Sequence, residues 1–575
     1  MKVSGMDILG LNISYDSSAA LVRDGEVIAA IQEERFKRVK HYAGFPDEAL
    51  AFCLKAGNTS LAEIDAVAFF WNPGIHAQVF NRRFSTQQRH HMEFLYAVLN
   101  NLIRFHGTDQ VELMEQNVRF ASGKNLRIYF IPHHLCHAAS ALFRSPFAES
   151  AILTVDGYGE RESAAIWKGA GTELKKVWSQ DFPHSLGSFY AAFTEYLGFK
   201  PNSGEGKMMG LASYGQPERY EEIRKLLTLN QNGFEIDLSY FSFFLERERR
   251  YTKKLVDLLG EERKPEGKIA ARHENIANSA QKALEDGVLH LAGMAKNLTG
   301  SRNLSMAGGV TLNCLANSRV IKSGLFKRHF FMPASSDAGA AMGAALYVCH
   351  CLNGKPREVK MGFDYLGCGY DNAAIEKELK KGGMKYYKPS NPAGAAAEML
   401  AAGYIGSVFR GKAEFGPRAL GNRSTISDPR PAAMKDRLNA EVKFREPFRP
   451  FAPSVLVEKM NGYFEGVEES PFMLRVYRTR KEKLKEAEAV THVDGGARVQ
   501  SVSREQNPFY YELISHFEKT TGTPLILNTS FNIRGEPIVN TPMDALKCYF
   551  TTGMSFLLIG DFMLVKDDAL KKFSG

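Results

Sequence analysis

The chain of 575 residues contains only seven cysteines, at positions 53, 136, 314, 349, 351, 368 and 548, and no CxxC pair. Paired-thiol zinc and redox sites are thereby excluded, and a reducing, cytoplasmic setting is expected. Cys349-His350-Cys351 is too tightly spaced to chelate and sits in an Ala-rich helical pattern, so it reads as packing. No apolar run approaches the roughly 20 residues of a membrane span. The most apolar window, Pro392 to Phe409, is broken by Glu398 and Gly403 and reads as a helix feeding a strand. The start of the chain is not expected to act as a signal peptide, because Asp7 and Asn12 interrupt its apolar stretch. Charge of one sign is also lacking: 73 Lys+Arg against 64 Asp+Glu leave +9, which suits phosphate-bearing ligands as easily as nucleic acid. The runs "ERERRYTKK" (246–254) and "RTRKEKLKEAEA" (478–489) mix both signs and read as solvated helix faces. With 44% hydrophobic and 24% charged residues the chain is neither disordered nor fibrous, and its length calls for two large units.

What is present begins with a repeat. "DILGLNISYDSSAALVRDGEVIAAIQEE" reads as a strand, an Asp-bearing turn and a hairpin closed at Asp24-Gly25. "AILTVDGYGERESAAIWKGAGTELKKVWSQD" repeats that plan, with an apolar strand Ile152 to Val155, and sets Asp156 where the first copy has Asp16. Such a duplication suggests two similar lobes across a cleft, the plan of actin-like ATPases and sugar kinases. "NLSMAGGVTLNCLANSRV" adds a strand to Ala307, a turn at Gly308-Gly309 and a helix with Asn313 and Asn317; the turn lets a ligand approach the backbone.

"IPHHLCHAASALF" (131–143) puts three histidines and a cysteine in five residues. Pro132 suits a helix start, and helical phasing sets His133 and His137 on the face opposite Leu135, Ala139, Leu142 and Phe143. The spacing also permits His134 with His137. Asp337, at the strand-to-helix turn of "FFMPASSDAGAAMGAAL", is either a helix cap or, with Asp156, half of a two-histidine, two-carboxylate set suited to Fe(II), Mn or Zn. In the second half, "RGKAEFGPRALGNRS" and "AEVKFREPFRPFAPS" interleave cations with Gly, Pro and Phe, a pattern that fits phosphate better than a bare basic loop. "TPLILNTSFNIRGEPIV" reads as a buried strand ending at Asn528, with Ser530 just beyond; a helix opens at Thr541-Pro542 with Asp544 in its first turn.

Taken together, "HHLCHAASA", "VDGYGE", "LGFKPNSGEGKMMGLASYG", "AGGVTLN", "SSDAGAAMGAAL", "FGPRALGNRS", "FRPFAPSV" and "LNTSFNIRGEPIV" resemble the NodU/CmcH family of ATP-dependent O-carbamoyltransferases over nearly the whole chain. The resemblance implies an α/β chain: a duplicated actin-like (ASKHA), TsaD-like domain over 1–355, a linker over 356–389 and an α+β, YrdC-like domain over 390–575. It implies metal ligands at His133, His137, Asp156 and Asp337, selecting His133 over His134, and adenylate contacts at Gly157, Gly206, Lys207, Gly308, Gly309 and Asn313. In the YrdC-like domain it implies Arg418, Lys443, Arg449, Arg498, Asn528 and Ser530 as the site. Family members often carry His where this chain has Tyr15, which leaves the base for the acceptor hydroxyl unassigned.

The implied reaction converts carbamoyl phosphate and ATP, with Mg, to carbamoyl-adenylate and moves the carbamoyl group to a hydroxyl of a small natural product or sugar. The metal is expected to be Fe(II), with Mn or Zn as alternatives. No nucleic acid or membrane partner is expected, and a homodimer is allowed. A tRNA threonylcarbamoyl-transfer enzyme should show a basic stripe, and a hydrogenase-maturation carbamoyltransferase should carry paired CxxC motifs; neither feature is found. An actin-like, ATP-driven interaction module would not need the second domain's cation cluster. The aromatic stretches 80–107 and 238–251 are candidates for the acceptor pocket, although core packing explains them equally.

Overall fold

The computed structural model describes residues 5–73, 111–245 and 248–566, and the stretch 80–107 read as part of an acceptor pocket lies outside them. The chain forms two compact units, one of Met1–Glu33 and Ala43–Gly362, the other of Glu34–Tyr42 and Phe363–Gly575. Among the described residues no helix is long and apolar enough to cross a membrane.

The first unit is built on two mixed sheets that share a strand plan. In one, the antiparallel strands β1 (Asp7–Asn12), β2 (Ser18–Arg23) and β3 (Glu26–Gln32) are followed by β4 (Ala66–Phe69), β5 (Met114–Arg119) and β6 (Asn125–Phe130) in the order β3-β2-β1-β4-β6-β5. The helix α1 (Asp47–Ala56) lies between β3 and β4 in the chain. In the other sheet, β7 (Glu149–Val155), β8 (Glu162–Ala170) and β9 (Glu173–Asp181) repeat the hairpin plan; after a small separate hairpin, β10 (Leu227–Asn230) and β11 (Gly233–Ile236), the parallel strands β12 (Asn303–Ala307) and β13 (Arg328–Phe331) complete the order β13-β12-β7-β8-β9. Strand β1 is buried throughout and β7 from Ser150 to Val155, because each has neighbouring strands on both sides, so their middles are apolar without alternation.

Two helices carry the candidate ligands, α2 (His133–Phe143) and, after α3 (Leu186–Tyr196), α4 (Glu205–Ala212), α5 (Ala271–Thr299) and α6 (Cys314–Lys322), the helix α7 (Asp337–Tyr347). Helix α2 differs from the expected amphipathic pattern. Pro132 is its N-cap, and every residue from His133 to Phe143 is buried except Leu135. The cause is the small-residue face of α7: a Cβ on Gly343 would lie 1.9 Å from the Cys136 carbonyl oxygen, so the backbones meet and neither helix keeps a solvent face there.

The second unit has a seven-stranded sheet in the order β19-β16-β20-β15-β14-β21-β22, made of β14 (Gly406–Phe409), β15 (Arg423–Ser427), β16 (Ala452–Leu456), β19 (Gln500–Val502), β20 (Leu525–Ser530), β21 (Phe556–Ile559) and β22 (Phe562–Val565). A short pair, β17 (Val476–Arg478) with β18 (Gly496–Arg498), stands apart from it. Residues 363–389, expected within a linker, belong to this unit. They contain the helix α8 (Asn372–Lys381), which buries Ile375 and Leu379, four apart on one face. The helices α9 (Pro392–Ala401), α10 (Pro508–Thr521) and α11 (Pro542–Phe550) complete the unit; α11 opens with Thr541 and Asp544 in a reciprocal capping box. The charged run 478–489 forms short 3-10 turns where a longer helix face was expected, because Ala487, Ala489 and Val490 turn inward. Residues 34–42 join this unit through Arg35, which donates to the Gly416 carbonyl at 2.6 Å, and Arg38, which donates to the carbonyls of Pro537 and Ile538 at 2.8 Å each.

Candidate functional site

In the first unit, His133 and His137 are one helical turn apart on α2, so both rings leave the helix on the same side. Asp156 follows the last residue of β7, and Asp337 is the first residue of α7. These four side chains offer ligand atoms that all lie within 4.8 Å of one another. The two Nε2 atoms are 3.1 Å apart; Asp156 Oδ2 is 2.9 Å from His137 Nε2 and 3.6 Å from His133 Nε2, and Asp337 Oδ1 is 3.6 and 4.0 Å from His133 and His137 respectively. Bonds of about 2.0–2.2 Å to one cation require donors spaced as these are.

The ambiguity of the histidine stretch disappears at His134. Its Nδ1 bonds Thr154 Oγ1 at 2.9 Å and its Nε2 the Glu162 carbonyl at 3.1 Å, so both nitrogens are engaged away from the cluster. Burial, and then the neighbouring His133 and His137, hold it well below the usual imidazole range.

The electrostatics of the four groups fit a cation. Burial works against a charged His133, but Asp337 and Asp156 outweigh it and raise the imidazole to about 9. Burial likewise opposes the Asp156 carboxylate, yet hydrogen bonds from the two imidazoles pull it well below the usual carboxylate range, while Asp337 is raised by its burial and by Asp156 beside it. Two imidazole nitrogens face each other across 3.1 Å with carboxylates on either side, so without a cation one ring must carry a proton to hold the group together. A divalent ion satisfies all four lone-pair donors at once, and the mix of nitrogen and carboxylate donors suits Fe(II), Mn or Zn.

The surroundings of the cluster include residues that the sequence reading did not single out. Ser14 Oγ donates to Asp337 Oδ2 at 2.7 Å, and Asn12 Nδ2 holds the Asp337 carbonyl at 3.0 Å. Buried Glu160 accepts from the His133 backbone N–H, with both carboxylate oxygens at 3.1 Å, and from the Asn72 N–H at 2.6 Å. It therefore pins the first turn of α2 to the segment after β4. Its only sequence signal is its place at the end of "VDGYGE". Among the described residues the buried Nδ1 atoms of His133 and His137 have no hydrogen-bond partner, and Phe70 and Trp71 pack at 5.6 and 5.8 Å from the His133 ring. Tyr15, in the position where a base was in question, donates its hydroxyl to the Asn202 carbonyl at 2.7 Å.

Of the expected adenylate contacts, Gly157, Gly308 and Gly309 gather at Asp156. The Gly157 and Gly309 N–H groups donate to its two oxygens at 2.7 and 3.1 Å. Gly308 has φ +93°, and a Cβ there would meet the Val155 carbonyl oxygen at 2.3 Å, so the turn requires glycine. Gly206 and Lys207 stand on α4, with open space beside Gly206. Asn313 caps α6, accepting from the Ala316 N–H at 3.0 Å, and exchanges two hydrogen bonds with Gln281 at 2.9 and 3.0 Å. Its amide is engaged in folding the turn that presents the glycines.

In the second unit, buried Lys443 donates to the carbonyls of Ser530 and Asn532 and to Asn532 Oδ1. Ser530 Oγ donates to the same Asn532 Oδ1 at 2.8 Å. Lys443 is pushed well below the usual ammonium range by burial and then by Arg445. Burial, together with repulsion from Arg498, also lowers Arg449; Arg445, which the sequence reading omitted, is lowered by burial, Arg449 and Arg498. Lys443, Arg445, Arg449 and Arg498 thus crowd into one positive region. The carboxylate of Glu446 meets Arg449 and Arg534 at 3.8 Å each. An anion with several oxygens relieves that repulsion. The buried amide of Asn528 donates to Gln500, Ser454 and the Ala419 carbonyl at 2.9, 3.0 and 3.2 Å. With Gln500 and Tyr365 on the Leu420 carbonyl at 3.0 and 2.9 Å, it fixes the loop that carries Arg418.

Comparison with known proteins gives matches over most of the chain. Residues 7–346 match the family model "Carbamoyltransferase N-terminus", and residues 397–566 match "Carbamoyltransferase C-terminus". An uncharacterised protein of Synechocystis sp. is 41% identical over 97% of this chain and 96% of its own. Nodulation protein NolNO of Sinorhizobium fredii is 38% identical over 96% of this chain and 79% of its own. A 3'-hydroxymethylcephem-O-carbamoyltransferase of Amycolatopsis lactamdurans is 29% identical over 76% of this chain and 81% of its own.

Proposed function

The chain belongs to the carbamoyltransferase family, and from that premise we propose that it is an ATP-dependent O-carbamoyltransferase with its two half-reactions divided between the two units. The observation that carries the reading is the buried His133, His137, Asp156 and Asp337 cluster inside the first family match, backed by the glycine turns at Gly157 and Gly308-Gly309. The shared strand plan of the first unit's two sheets supports reading it as a duplicated actin-like, TsaD-like domain, and in this reading the second unit is the YrdC-like one.

In the second unit, carbamoyl phosphate reacts with water to give carbamate and phosphate. Lys443, Arg449, Arg498 and Arg418 neutralise the departing phosphate, with Ser530 orienting it. A carbamate oxygen then attacks the α-phosphorus of ATP, with Mg on its phosphates, and pyrophosphate leaves to give carbamoyl-adenylate. In the first unit, the side-chain-free turns at Gly157 and Gly308-Gly309 let the adenylate approach the backbone beside Asp156, with Gly206 and Lys207 beside it. His133, His137, Asp156 and Asp337 would hold an Fe(II), Mn or Zn ion, which when bound supplies Lewis-acid polarisation of the adenylate phosphate. Ser14 and Glu160 keep Asp337 and His133 in register. The acceptor hydroxyl oxygen attacks the carbamoyl carbon, its proton passes to solvent or a nearby base, and AMP leaves with the bonding electrons.

The direct test incubates the protein, ATP and carbamoyl phosphate with a panel of hydroxyl compounds and looks by mass spectrometry for one added carbamoyl group. Modification that requires both co-substrates is expected. Carbamoylation without ATP would refute the adenylate route.

A further inference from the structure

Resting on the transfer reading above, we propose that Glu414 is a positioning residue for carbamoyl phosphate: its carboxylate fixes the loop from which Arg418 meets the phosphate and does not touch the substrate itself. The loop joins β14 to β15. Its stem is clamped by Arg423, a fully buried guanidinium that donates to the carbonyls of Cys368, Arg410 and Gly411 at 2.8, 2.9 and 3.1 Å. The same guanidinium lies over the Phe409 ring at 3.8 Å.

The tip has a clamp of its own. Glu414 Oε1 accepts from the N–H groups of Leu420, Asn422 and Arg423 at 2.7, 2.8 and 3.2 Å. The Gly421 N–H between them donates to Ser424 Oγ at 2.9 Å, so four successive N–H groups are held by side chains. The bond from Leu420 back to Glu414 closes the intervening stretch into a loop with Arg418 inside it. Of residues 413–421, only Pro417 and Arg418 are not buried, so the loop is anchored on both sides and presents the arginine at its tip.

Glu414 is 3% exposed and forms no ion pair among the described residues. A carboxylate placed against phosphate would repel it, so burial within the loop is where this charge does no harm. There it strengthens the three bonds, because an ionised acceptor holds an N–H about twice as strongly as a neutral one. A guanidinium fork matches two phosphate oxygens only when its backbone is fixed in place, and Glu414 supplies that fixity to Arg418.

The test is a double-mutant cycle on the full chain, read as the affinity for inorganic phosphate in a phosphorus NMR titration without ATP. Arg418→Met is expected to weaken phosphate about tenfold, and Glu414→Ala by about the same factor, one charged contact being worth about that much. Glu414→Gln, which keeps an acceptor oxygen, is expected to recover most of the loss. In the Arg418→Met background Glu414→Ala is expected to weaken phosphate no further, because Glu414 acts through Arg418. A residue that merely stabilised the fold would weaken the double variant again. If Glu414→Ala does not fold, Glu414→Asp, which draws the carboxylate back by one methylene, takes its place in the cycle with the same non-additivity expected. Wild-type affinity in the Glu414 variant, or losses that multiply in the double variant, would overturn the proposal. Affinity unchanged by Arg418→Met would remove Arg418 as a phosphate ligand and the proposal with it. Carbamoyl-phosphate-dependent pyrophosphate release by the wild-type protein tests the transfer reading separately, because the titration needs no turnover.

Discussion

Loading a divalent cation into the metal-free protein should expel a proton from His133. The geometry sets the size of the effect. Carboxylates 3.6 Å away on two sides raise this fully buried imidazole to about 9, so at pH 7.5 it is protonated in about 97% of molecules. Coordination requires the neutral ring, so cation and proton compete. Apparent affinity should rise roughly tenfold per pH unit between pH 6.5 and 8.5, with about one proton released per ion. The same raised group makes the metal-free fold more stable below about pH 6.5, the unfolded value, by on the order of 3 kcal/mol, and that stability is lost as pH rises through about 9. Calorimetric titration of Mn or Zn in buffers of different ionisation enthalpy reads the proton count, and urea unfolding of chelator-treated protein reads the stability. PH-independent affinity with no proton released would refute the proposed ligation by His133.

Other outcomes follow from single contacts. Glu160→Ala leaves the His133 and Asn72 N–H groups without their acceptor, at a cost of about 1–3 kcal/mol for each, and should weaken metal binding; Glu160→Gln keeps an acceptor and should recover most of the loss in a metal titration. Gly343→Ala drives a methyl group into the Cys136 carbonyl, and chemical denaturation should register a loss of several kcal/mol, overpacking being worth about 1–3 kcal/mol or more; unchanged stability would mean that α2 and α7 are not in backbone contact. Lys443→Met removes the ammonium beside Ser530 and should abolish carbamoyl-phosphate-dependent pyrophosphate release, read by a coupled phosphate assay.

The repeat, the GG turn and the capped helix at Thr541 were legible because each depends on local pattern, strand alternation or turn residues, whereas the set His133, His137, Asp156 and Asp337, joined across distant parts of the chain, came from the family resemblance. What stayed hidden depends on tertiary neighbours. From spacing alone both His133 and His134 could pair with His137; the resemblance pointed to His133, and the bonds of His134 to Thr154 and the Glu162 carbonyl give the physical reason. The small residues of α7 bury a face of α2 that helical periodicity assigns to solvent. Asn313 and Asn528, which the resemblance implies as site residues, also hold partners that no local pattern shows: their amides bond Gln281, and Ser454 and Gln500, residues far away in the chain. Glu160 and Arg445 gave no pattern beyond membership of a quoted motif, since accepting from a distant N–H, as Glu160 does, or lying beside other cations, as Arg445 does, leaves no periodic trace.

The central claim, carbamoyl transfer through an adenylate, is tested most directly by phosphorus NMR of the products formed from ATP, carbamoyl phosphate and a hydroxyl acceptor. The account predicts AMP, pyrophosphate and phosphate in equal amounts, all dependent on carbamoyl phosphate. Formation of ADP and phosphate, or ATP turnover indifferent to carbamoyl phosphate, would contradict it.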